Sequence, residues 1–478
     1  MRKGGITVFL TSMLLLFVTL VSACVEAVRF YAVGVEAECA VSMGMDSIFA
    51  EYHRGLLERY DLFFIDSSYG REQPSYHLTE AHLWDYVSAN LSVGDVPVWN
   101  GRDFLNMHLE GVSITQAALA TDCAGRDVKY QAVSYMRERA GLGLVEEIQM
   151  QMDTVYGNGL DVRDVERETE EIQAQIDGTP LPEQQLEDGS FVKVNVDNPA
   201  DSVNEGRFQG ILYLVAEQDR LSGQTINSDN YVSSRTLNTG TGPACGGESF
   251  SFVDEVLFGE YLMEKCGNYR KPSMEGALQY ELEYILAGKN SDIENLRWVA
   301  GRLILFREAA NAVYLYSDRV KVAEADAMAW GLAIVSLEPS LQPLIKHSIL
   351  LAWAYAESVL DVRRLFSGKS VPLLKSRETW RLSLEHMLDY LGHLGSADDR
   401  EEDGLSYEDY LRLLLLLEKE DIKTLRCMDV IEMNLRTLPG DEHFRMDGCM
   451  DALRAEFSIS GGFGEYFNLA AQYSYLNR

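Results

Sequence analysis

The chain has 478 residues, of which 46% are hydrophobic and 24% are charged, so its composition is that of a globular protein with two or three domains. It carries 42 Lys and Arg against 74 Asp and Glu, a net charge of −32. A field of this sign repels nucleic-acid phosphates and anionic lipid surfaces, so we expect no nucleic-acid partner.

The N-terminus begins with a long uncharged stretch, Gly4 to Val25. A helix needs roughly 20 residues to cross a bilayer core about 30 Å thick, and Gly5 to Cys24 meet that requirement. The sequence therefore predicts a transmembrane signal anchor over residues 1–25. The side chains assigned to the bilayer are Ile6, Val8, Phe9, Leu10, Leu14, Leu15, Leu16, Phe17 and Leu20.

The charges beside this anchor predict its orientation. Arg2 and Lys3 precede it, whereas Glu26, Glu36 and Glu38 follow it. Positive residues stay on the cytoplasmic side, so the N-terminus is expected in the cytoplasm and the bulk of the chain outside the cell. The sequence thus predicts a single-pass protein of the cell membrane.

Three fates of the segment remain open: a retained anchor, a cleaved secretory signal, and a lipoprotein signal in which Val21 to Ala23 precede a lipidated Cys24. The retained anchor is favoured because a helical pattern continues beyond it. No Pro occurs before Pro74, and spacings of three and four residues relate Val28, Tyr31, Val35, Cys39, Ser42, Asp46 and Phe49. We expect an extended juxtamembrane helix over residues 26–61, as part of a rod of roughly 80 Å from Ile6 to about Tyr60.

The whole chain is predicted to be α+β and predominantly helical, with a mixed α+β body and a helical bundle. An α+β region is expected over 62–247, with a short coiled-coil hairpin near 142–177 and a loop-rich, mobile segment over 222–247. A helical bundle is expected over 248–370 and a C-terminal α+β region over 371–478.

Several elements follow from periodicity and capping signals. Helices are predicted over 77–87, 125–156 with an interruption near 141–143, 407–419 and 427–438, and strands over 62–65, 190–196, 457–460 and 466–475. Ser406 and Asp409 suit the start of a helix, while Gly288 and Gly368 suit helix ends. The apolar runs 327–337 and 348–360 are too short to span a bilayer, so we expect both to be buried in a core.

No motif in the sequence identifies a reaction. The seven Cys are too scattered for a disulfide framework; Cys245 with Cys266 and Cys427 with Cys449 are possible pairs, although buried free thiols are favoured. His77 and His82 lack the four-residue spacing of a zinc helix, and Tyr410 replaces the Glu that would close a calcium loop begun at Asp399. We therefore predict no catalytic residue, metal ligand or cofactor.

Several stretches across the chain resemble a bacterial, membrane-anchored domain family of unknown function. The resemblance rests on Lys3–Leu10, Glu26–Arg29, Asp46–Tyr52, Glu58–Asp66, Tyr284–Lys289, Ala352–Ala354 with Glu357, Asp361–Arg363 and Asp403–Leu411. The N-terminus of that family is similar to tight-adherence (TadE/TadG-like) pilus assembly proteins. The resemblance implies a membrane-anchored part of such an apparatus.

Two classes of function follow. The favoured one is a non-enzymatic, membrane-anchored structural or interaction protein whose partners are other envelope or pilus-like assembly proteins. Glu26 and Arg29 are possible anchor-pairing residues in it, because a carboxylate at the membrane edge often finds a partner on a neighbouring helix. The alternative is a membrane-tethered hydrolase or ligand-binding protein with a site built from distant residues, and a lipoprotein lipidated at Cys24 is one form of it.

Overall fold

The structure is a computed structural model that describes residues 4–91, 105–139, 141–161, 163–180, 183–185, 191–193, 198–205, 207, 210–242, 249–335, 338–387, 403–462 and 464–476. The chain forms two compact units, each built from separated stretches. Unit 1 comprises Met1–Ala132, Arg235–Ser249 and Ile431–Arg478, and unit 2 comprises Val133–Ser234 and Phe250–Val430.

Helices dominate the described residues, which confirms the predicted fold class. In chain order they are α1 (Gly4–Phe49), α2 (Arg54–Tyr60), α3 (Tyr76–Leu91), α4 (Arg126–Arg139), α5 (Leu142–Gly157), α6 (Val165–Asp177), α7 (Pro199–Glu205), α8 (Ile211–Val215), α9 (Phe252–Lys265), α10 (Glu281–Ala287), α11 (Asp292–Ser317), α12 (Arg319–Val335), α13 (Gln342–Phe366), α14 (Tyr407–Leu417) and α15 (Glu420–Leu435). The predicted helices near 77–87, 125–156, 407–419 and 427–438 correspond to α3, to α4 with α5, to α14 and to α15.

The strands are β1 (Ile65–Asp66), β2 (His108–Leu119), β3 (Glu183–Gln185), β4 (Phe191–Lys193), β5 (Cys449–Ser460) and β6 (Tyr466–Ser474). β5 is the central strand of the sheet in unit 1 and pairs antiparallel with β1, β2 and β6. The alternating stretches predicted near 457–460 and 466–475 lie in β5 and β6. β4 covers part of the strand predicted over 190–196, and residues 190 and 194–196 lie outside the described residues.

The second half of α1 packs on the sheet of unit 1. Its buried side chains recur at helical spacing and join β2, β5 and α3 in one core: Val33, Ala37, Ala40, Val41, Met45 and Ile48. A Cβ atom at Gly44 would lie 2.4 Å from Val87 Cγ2, so glycine is required where α3 crosses α1. The sheet and α3 together hold α1 from Val33 onward.

The first helix is shorter than the sequence predicts. α1 ends at Phe49 after 46 residues, or about 70 Å, and α2 begins separately at Arg54. His53 caps α2, because its Nδ1 accepts a hydrogen bond from the Leu56 N–H while its own N–H donates to the Phe64 carbonyl. The prediction of one unbroken helix to Tyr60 is wrong, since the His53 backbone turns out of the helix toward Phe64.

Unit 2 is built around α11 and α13, which pack against each other and against α6, α8 and α12. The apolar face predicted for α11 is buried: Leu296, Val299, Leu303, Phe306 and Ala310. The main packing of α6 is on α13 and α11, and that of α5 is on α9. The predicted coiled-coil hairpin is therefore wrong, because a seam of two heptads is buried better against a bundle than against one helix.

The two apolar runs of the bundle have different surroundings. Residues 348–359 of α13 are all buried, as predicted. The prediction for 327–337 is wrong in its described part, because Trp330 is 46%, Ile334 62% and Val335 75% exposed. Small residues at four-residue spacing, Ala329 and Ala333, are the buried ones, so α12 turns its larger side chains outward.

The predicted loop-rich segment is held by hydrogen bonds in its described part. In unit 2, Ser222 Oγ donates to Asp292 Oδ2 at 2.6 Å and Ser233 Oγ donates to Asp429 Oδ2 at 2.5 Å. In unit 1, the Gly240 N–H donates to Asp122 Oδ1 at 3.0 Å. Carboxylates, of which those of Asp292 and Asp429 are buried, thus hold hydroxyls and a backbone N–H of this segment; residues 243–247 lie outside the described residues.

The predicted helix ends are confirmed. Ser406 Oγ accepts from the Asp409 N–H, and Asp409 in turn accepts from the Ser406 N–H, which makes a complete capping box for α14. Gly288 and Gly368 have φ of 65° and 88°, in the left-handed region that favours glycine.

We expect Ser406→Ala to cost about 1 kcal/mol of local stability, because the first turn of α14 loses its side-chain cap. Amide hydrogen exchange in α14 should become about fivefold faster. Ser317→Ala is the control, since the Ser317 hydroxyl donates only to a carbonyl in the last turn of α11, and it should change exchange less than twofold. Equal effects of the two changes would contradict the role of the cap.

Candidate functional site

The N-terminal half of α1 is an apolar helix whose side chains are uncovered. All residues from Gly5 to Val28 are exposed, and the nine predicted anchor side chains range from 57% exposed for Leu10 to 70% for Leu16. Contact of this surface with water costs about 25 cal/mol per Å² of apolar area. Within the described residues, α1 is the one helix long and apolar enough to cross a bilayer.

Two threonine hydroxyls inside this segment are paired within the helix itself. Thr11 Oγ1 donates to the carbonyls of Thr7 and Val8, and Thr19 Oγ1 donates to the carbonyl of Leu16, each at 2.9 Å. Hydrocarbon offers no hydrogen-bond partner, so hydroxyls that bond to their own helix suit a lipid environment.

Cys24, the predicted alternative lipidation site, lies inside α1 with an exposed free thiol. The helix continues without a break on both sides of this residue. Lipidation requires cleavage immediately before the cysteine, so it would remove the helical residues from Gly4 to Ala23. The retained and the lipidated forms would therefore differ by nearly half of α1.

The exposed half of α1 meets the body of unit 1 at a partly buried ion pair. Arg29 Nη2 lies 2.6 Å from Glu465 Oε1, and the two side chains are 14% and 7% exposed. Glu26, the other residue predicted for anchor pairing, is 64% exposed and lies 4.0 Å from Arg29. Beside the pair, the rings of Phe30 and Phe467 are 5.2 Å apart. Sequence reasoning missed Glu465, because 436 residues separate it from Arg29.

A second polar contact fixes the far end of α1. The carboxylate of Glu51 accepts hydrogen bonds from Tyr69 Oη at 2.9 Å and from Tyr86 Oη at 2.5 Å, and His82 Nδ1 lies 2.9 Å from it. Burial and the charge of Glu51 raise the pKa of Tyr69 above its usual range. His82 therefore belongs to a structural contact that joins α1 to α3.

In unit 2 a charged cluster is buried between α11, α13 and the segment after α13. Lys375 Nζ lies 2.8 Å from Glu357 Oε1 and 2.6 Å from Asp361 Oδ1, while Arg307 Nη2 lies 3.0 Å from Asp361 Oδ2. Burial alone would raise the pKa of Asp361, but the two cations lower it. All four side chains are 0% exposed, so two cations balance two anions in a place that no substrate reaches.

Glu283 of α10 is a buried acid in a different state. Its Oε1 accepts hydrogen bonds from the Tyr269 N–H at 2.8 Å and from Tyr407 Oη at 2.6 Å, whereas Oε2 has no hydrogen-bond partner among the described residues. Burial raises the pKa of Glu283 to about 7. Two donors on one oxygen and none on the other suit a neutral carboxylic acid, with Oε1 as its carbonyl oxygen.

The described residues line a cavity in each of the two units. The larger, about 350 Å³ in unit 2, has a mixed lining that includes Arg163, Glu166 and Leu305. The other, about 270 Å³ in unit 1, is lined partly by Tyr76 and Asp447.

The one carboxylate in the cavity of unit 1 is engaged on both oxygens. Asp447 Oδ1 lies 2.5 Å from Arg235 Nη2, and its Oδ2 accepts from the Asn238 N–H at 3.0 Å and from Arg445 Nη2 at 2.8 Å. Burial would raise the pKa of Asp447, but these hydrogen bonds and the charge of Arg235 lower it. This carboxylate is therefore a structural anion held by two arginines and is poorly suited to donate a proton.

The cysteines are arranged differently from the predicted pairs. Cys123 is disulfide-bonded, while Cys24, Cys39, Cys266, Cys427 and Cys449 are free. Cys266, Cys427 and Cys449 are buried free thiols, which is the arrangement that the sequence favours, so neither of the two possible pairs forms; Cys245 lies outside the described residues. Burial raises the pKa of all three thiols, so they are inert. No group of three or more potential metal ligands occurs in the described part of the chain.

A model of a family of unknown function (DUF5702) matches residues 191–461. No curated protein and no solved structure is significantly similar to the chain. The family match begins well after α1, so nothing in these comparisons links the N-terminus to tight-adherence pilus proteins.

The ion pair between Arg29 and Glu465 can be tested by charge reversal. Arg29→Glu should lower the local free energy of unfolding by about 2 kcal/mol, because it leaves Glu465 buried beside a second anion. In this single variant we expect amide hydrogen exchange in β6 to become about 30-fold faster. In the double variant Arg29→Glu/Glu465→Arg the exchange rate should be within about fivefold of the wild-type rate. Glu26→Ala is the control, with less than a twofold effect. A double variant no better than either single one would contradict the pairing.

The protonation of Glu283 predicts how stability depends on pH. The folded state keeps this proton up to a pH of about 7, whereas the unfolded chain loses it near the ordinary value of 4.5. As the pH rises from 4.5 to about 7, the free energy of unfolding should therefore fall by about 1 kcal/mol per pH unit. Glu283→Gln should abolish this component, as measured by urea unfolding at several pH values.

Asp292→Asn is the matched control for Glu283→Gln. Asp292 accepts hydrogen bonds on both oxygens, from Ser222 Oγ and from the N–H groups of Gln279 and Tyr280. In Asp292→Asn the side-chain amide nitrogen would face hydrogen-bond donors, so we expect the free energy of unfolding to fall by about 2 kcal/mol. If Glu283→Gln proves equally destabilising at a pH of about 6, where the folded state should hold the proton, the neutral state of Glu283 is wrong.

Proposed function

The chain belongs to this family of unknown function, whose model covers more than half of its length, and we propose that it is a non-enzymatic component of a pilus-like (tight-adherence) or secretion assembly. In this proposal the protein is a single-pass membrane protein with a cytoplasmic N-terminus and an extracytoplasmic body. Its partners are other envelope or pilus-like assembly proteins.

The observation that carries the proposal is the division of α1 into two environments. Its first half is an exposed apolar helix of membrane-spanning length, and from Val33 onward the same helix is part of a protein core. A continuous helix with a buried second half holds the body at a fixed place beside the bilayer. The ion pair between Arg29 and Glu465 lies at the start of the buried half and ties it to the body.

The disulfide at Cys123 supports export of the body. Disulfides persist in oxidising spaces and are rare in the cytosol. Cys123 comes after α1 in the chain, on the side that the charge distribution assigns to the exterior.

The state of the buried acids supports a structural role over an enzymatic one. Asp361, Glu357 and Asp447 are paired with cations, and Asp292 accepts hydrogen bonds from backbone and hydroxyl donors. The assembly part of the proposal rests on the N-terminal residues that resemble pilus assembly proteins, Lys3–Leu10.

Thiol labelling on intact spheroplasts tests the predicted topology. Cys39 is free and exposed, whereas Cys266, Cys427 and Cys449 are buried and Cys24 lies in the predicted bilayer segment. Because Cys39 lies on the outer side of α1, Tyr213→Cys in a Cys39→Ser background supplies the reporter thiol: Tyr213 is 76% exposed, so a membrane-impermeant maleimide should label this variant, and Cys39→Ser alone should keep less than a fifth of that label. Labelling that appears only after the membrane is permeabilised would place the body in the cytoplasm.

The intact mass of the protein from the membrane fraction tests whether the anchor is retained. We expect residues 1–25 to remain attached and detergent to be needed for extraction. A chain that begins at a lipidated Cys24, or a soluble chain that begins beyond it, would contradict the anchored form and favour the alternative of a lipoprotein or a released binding protein.

A further inference from the structure

One face of α1 outside the predicted bilayer segment is apolar and uncovered. We call it the α1 stripe; it consists of Val28, Tyr31, Val35, Cys39 and Met43, which follow one another at spacings of three or four residues. Val28 is 70%, Tyr31 75%, Val35 59% and Met43 51% exposed, and Cys39 is also exposed. Residues at these spacings share one side of a helix.

This face is opposite to the one that packs on the sheet. The buried side chains of the same stretch, such as Val33, Ala37 and Ala40, are shifted by about half a turn from the α1 stripe. A helix of a soluble domain normally presents polar side chains on its outer side. α1 is apolar on both sides, so its outer side is built for contact with something other than water.

The hydrocarbon of the bilayer does not account for the α1 stripe. Gly5 to Cys24 already supply the roughly 20 residues that a bilayer core requires. From Val28 to Met43 the helix rises a further 24 Å, approximately, and Glu26, Glu36 and Glu38 lie in or beside this stretch. Whatever binds the α1 stripe must therefore also lie outside the bilayer core, next to a membrane-anchored helix.

The charges beside the α1 stripe determine what kind of helix fits. Glu36, Glu38 and Asp46 are exposed, and the sequence contains no Lys or Arg between Val33 and Phe49. The nearest cation, Arg29, is engaged with Glu465. In a parallel pair of identical helices these acids would face one another, and like charges at flanking positions destabilise such pairs.

We propose that the α1 stripe binds a helix of a different single-pass membrane protein, with an apolar face flanked by Lys or Arg. The bilayer orients the two helices side by side, so that the apolar faces meet and the basic flanks pair with Glu36 and Glu38. This inference rests on the proposed function, since it requires the anchor to be retained and the body to be exported.

A photo-reactive amino acid tests the proposal in the full-length protein in its native membrane. Benzoylphenylalanine at Tyr31 should form a covalent product with a second membrane protein, and mass spectrometry should map the link to a helix flanked by Lys or Arg. The same substitution at Tyr213 is the matched control, since Tyr213 is 76% exposed and lies on a different element. It should yield less than a fifth of the product.

Charge reversal distinguishes this docking from nonspecific capture. Glu36→Lys/Glu38→Lys should reduce the yield of the crosslinked product formed from position 31 at least fivefold, while the limited-proteolysis pattern of the body stays unchanged. Glu170→Lys/Glu324→Lys shifts the net charge equally at exposed sites in unit 2 and should leave the yield within twofold. A Glu36→Gln/Glu38→Gln variant should give an intermediate yield.

Three outcomes would overturn the proposal: a product that contains two copies of this chain, a product with lipid alone, or a yield that charge reversal leaves within twofold. Each would leave the anchored form intact, because the mass of the uncrosslinked protein reports the anchor independently. Loss of residues 1–25 from that mass would instead contradict the proposed function.

Discussion

The packing of the second half of α1 on an antiparallel sheet is the interaction on which the rest of unit 1 depends. One helix lies in two environments, because all side chains from Gly5 to Val28 are uncovered, whereas from Val33 onward one face of the helix is buried in a protein core. The change takes place within about one helical turn. Arg29 and Glu465 lie at this point, and Glu51 fixes the other end of the seated half, so polar contacts mark both limits of the buried stretch.

Several carboxylates are buried in unit 2 of this acidic protein. Its buried carboxylates are matched either with cations, as Asp361 is with Lys375 and Arg307, or with backbone and hydroxyl donors, as Asp292 is. Glu283 is the exception, because only one of its oxygens receives hydrogen bonds. An ionised group in this position would be costly, so the neutral acid is the form that the fold accommodates. The acids thus specify how helices and loops of the unit fit together.

Local signals in the sequence predicted local features well. The capping box at Ser406, the left-handed ends at Gly288 and Gly368 and the apolar face of α11 depend on neighbouring residues, and all were confirmed. The break between α1 and α2 was missed, because His53 leaves the helix to bond Phe64, a contact that no periodicity reports. Exposure of Trp330 was also missed, since hydrophobicity alone does not distinguish a core helix from an uncovered surface. Glu465 could not be assigned to Arg29, because a pair so distant in sequence leaves no pattern.

The position of β5 and β6 in the chain has a consequence for biosynthesis. The strands that receive α1 begin at Cys449, so about nine-tenths of the chain has to be made before the helix can be seated. Until then, α1 lacks β5 and β6, and the core to which Val33, Met45 and Ile48 belong is incomplete. Non-local pairing of this kind folds slowly and exposes apolar surface while it waits. A chain that stops before β5 would therefore lack the central strand of the sheet on which the second half of α1 packs.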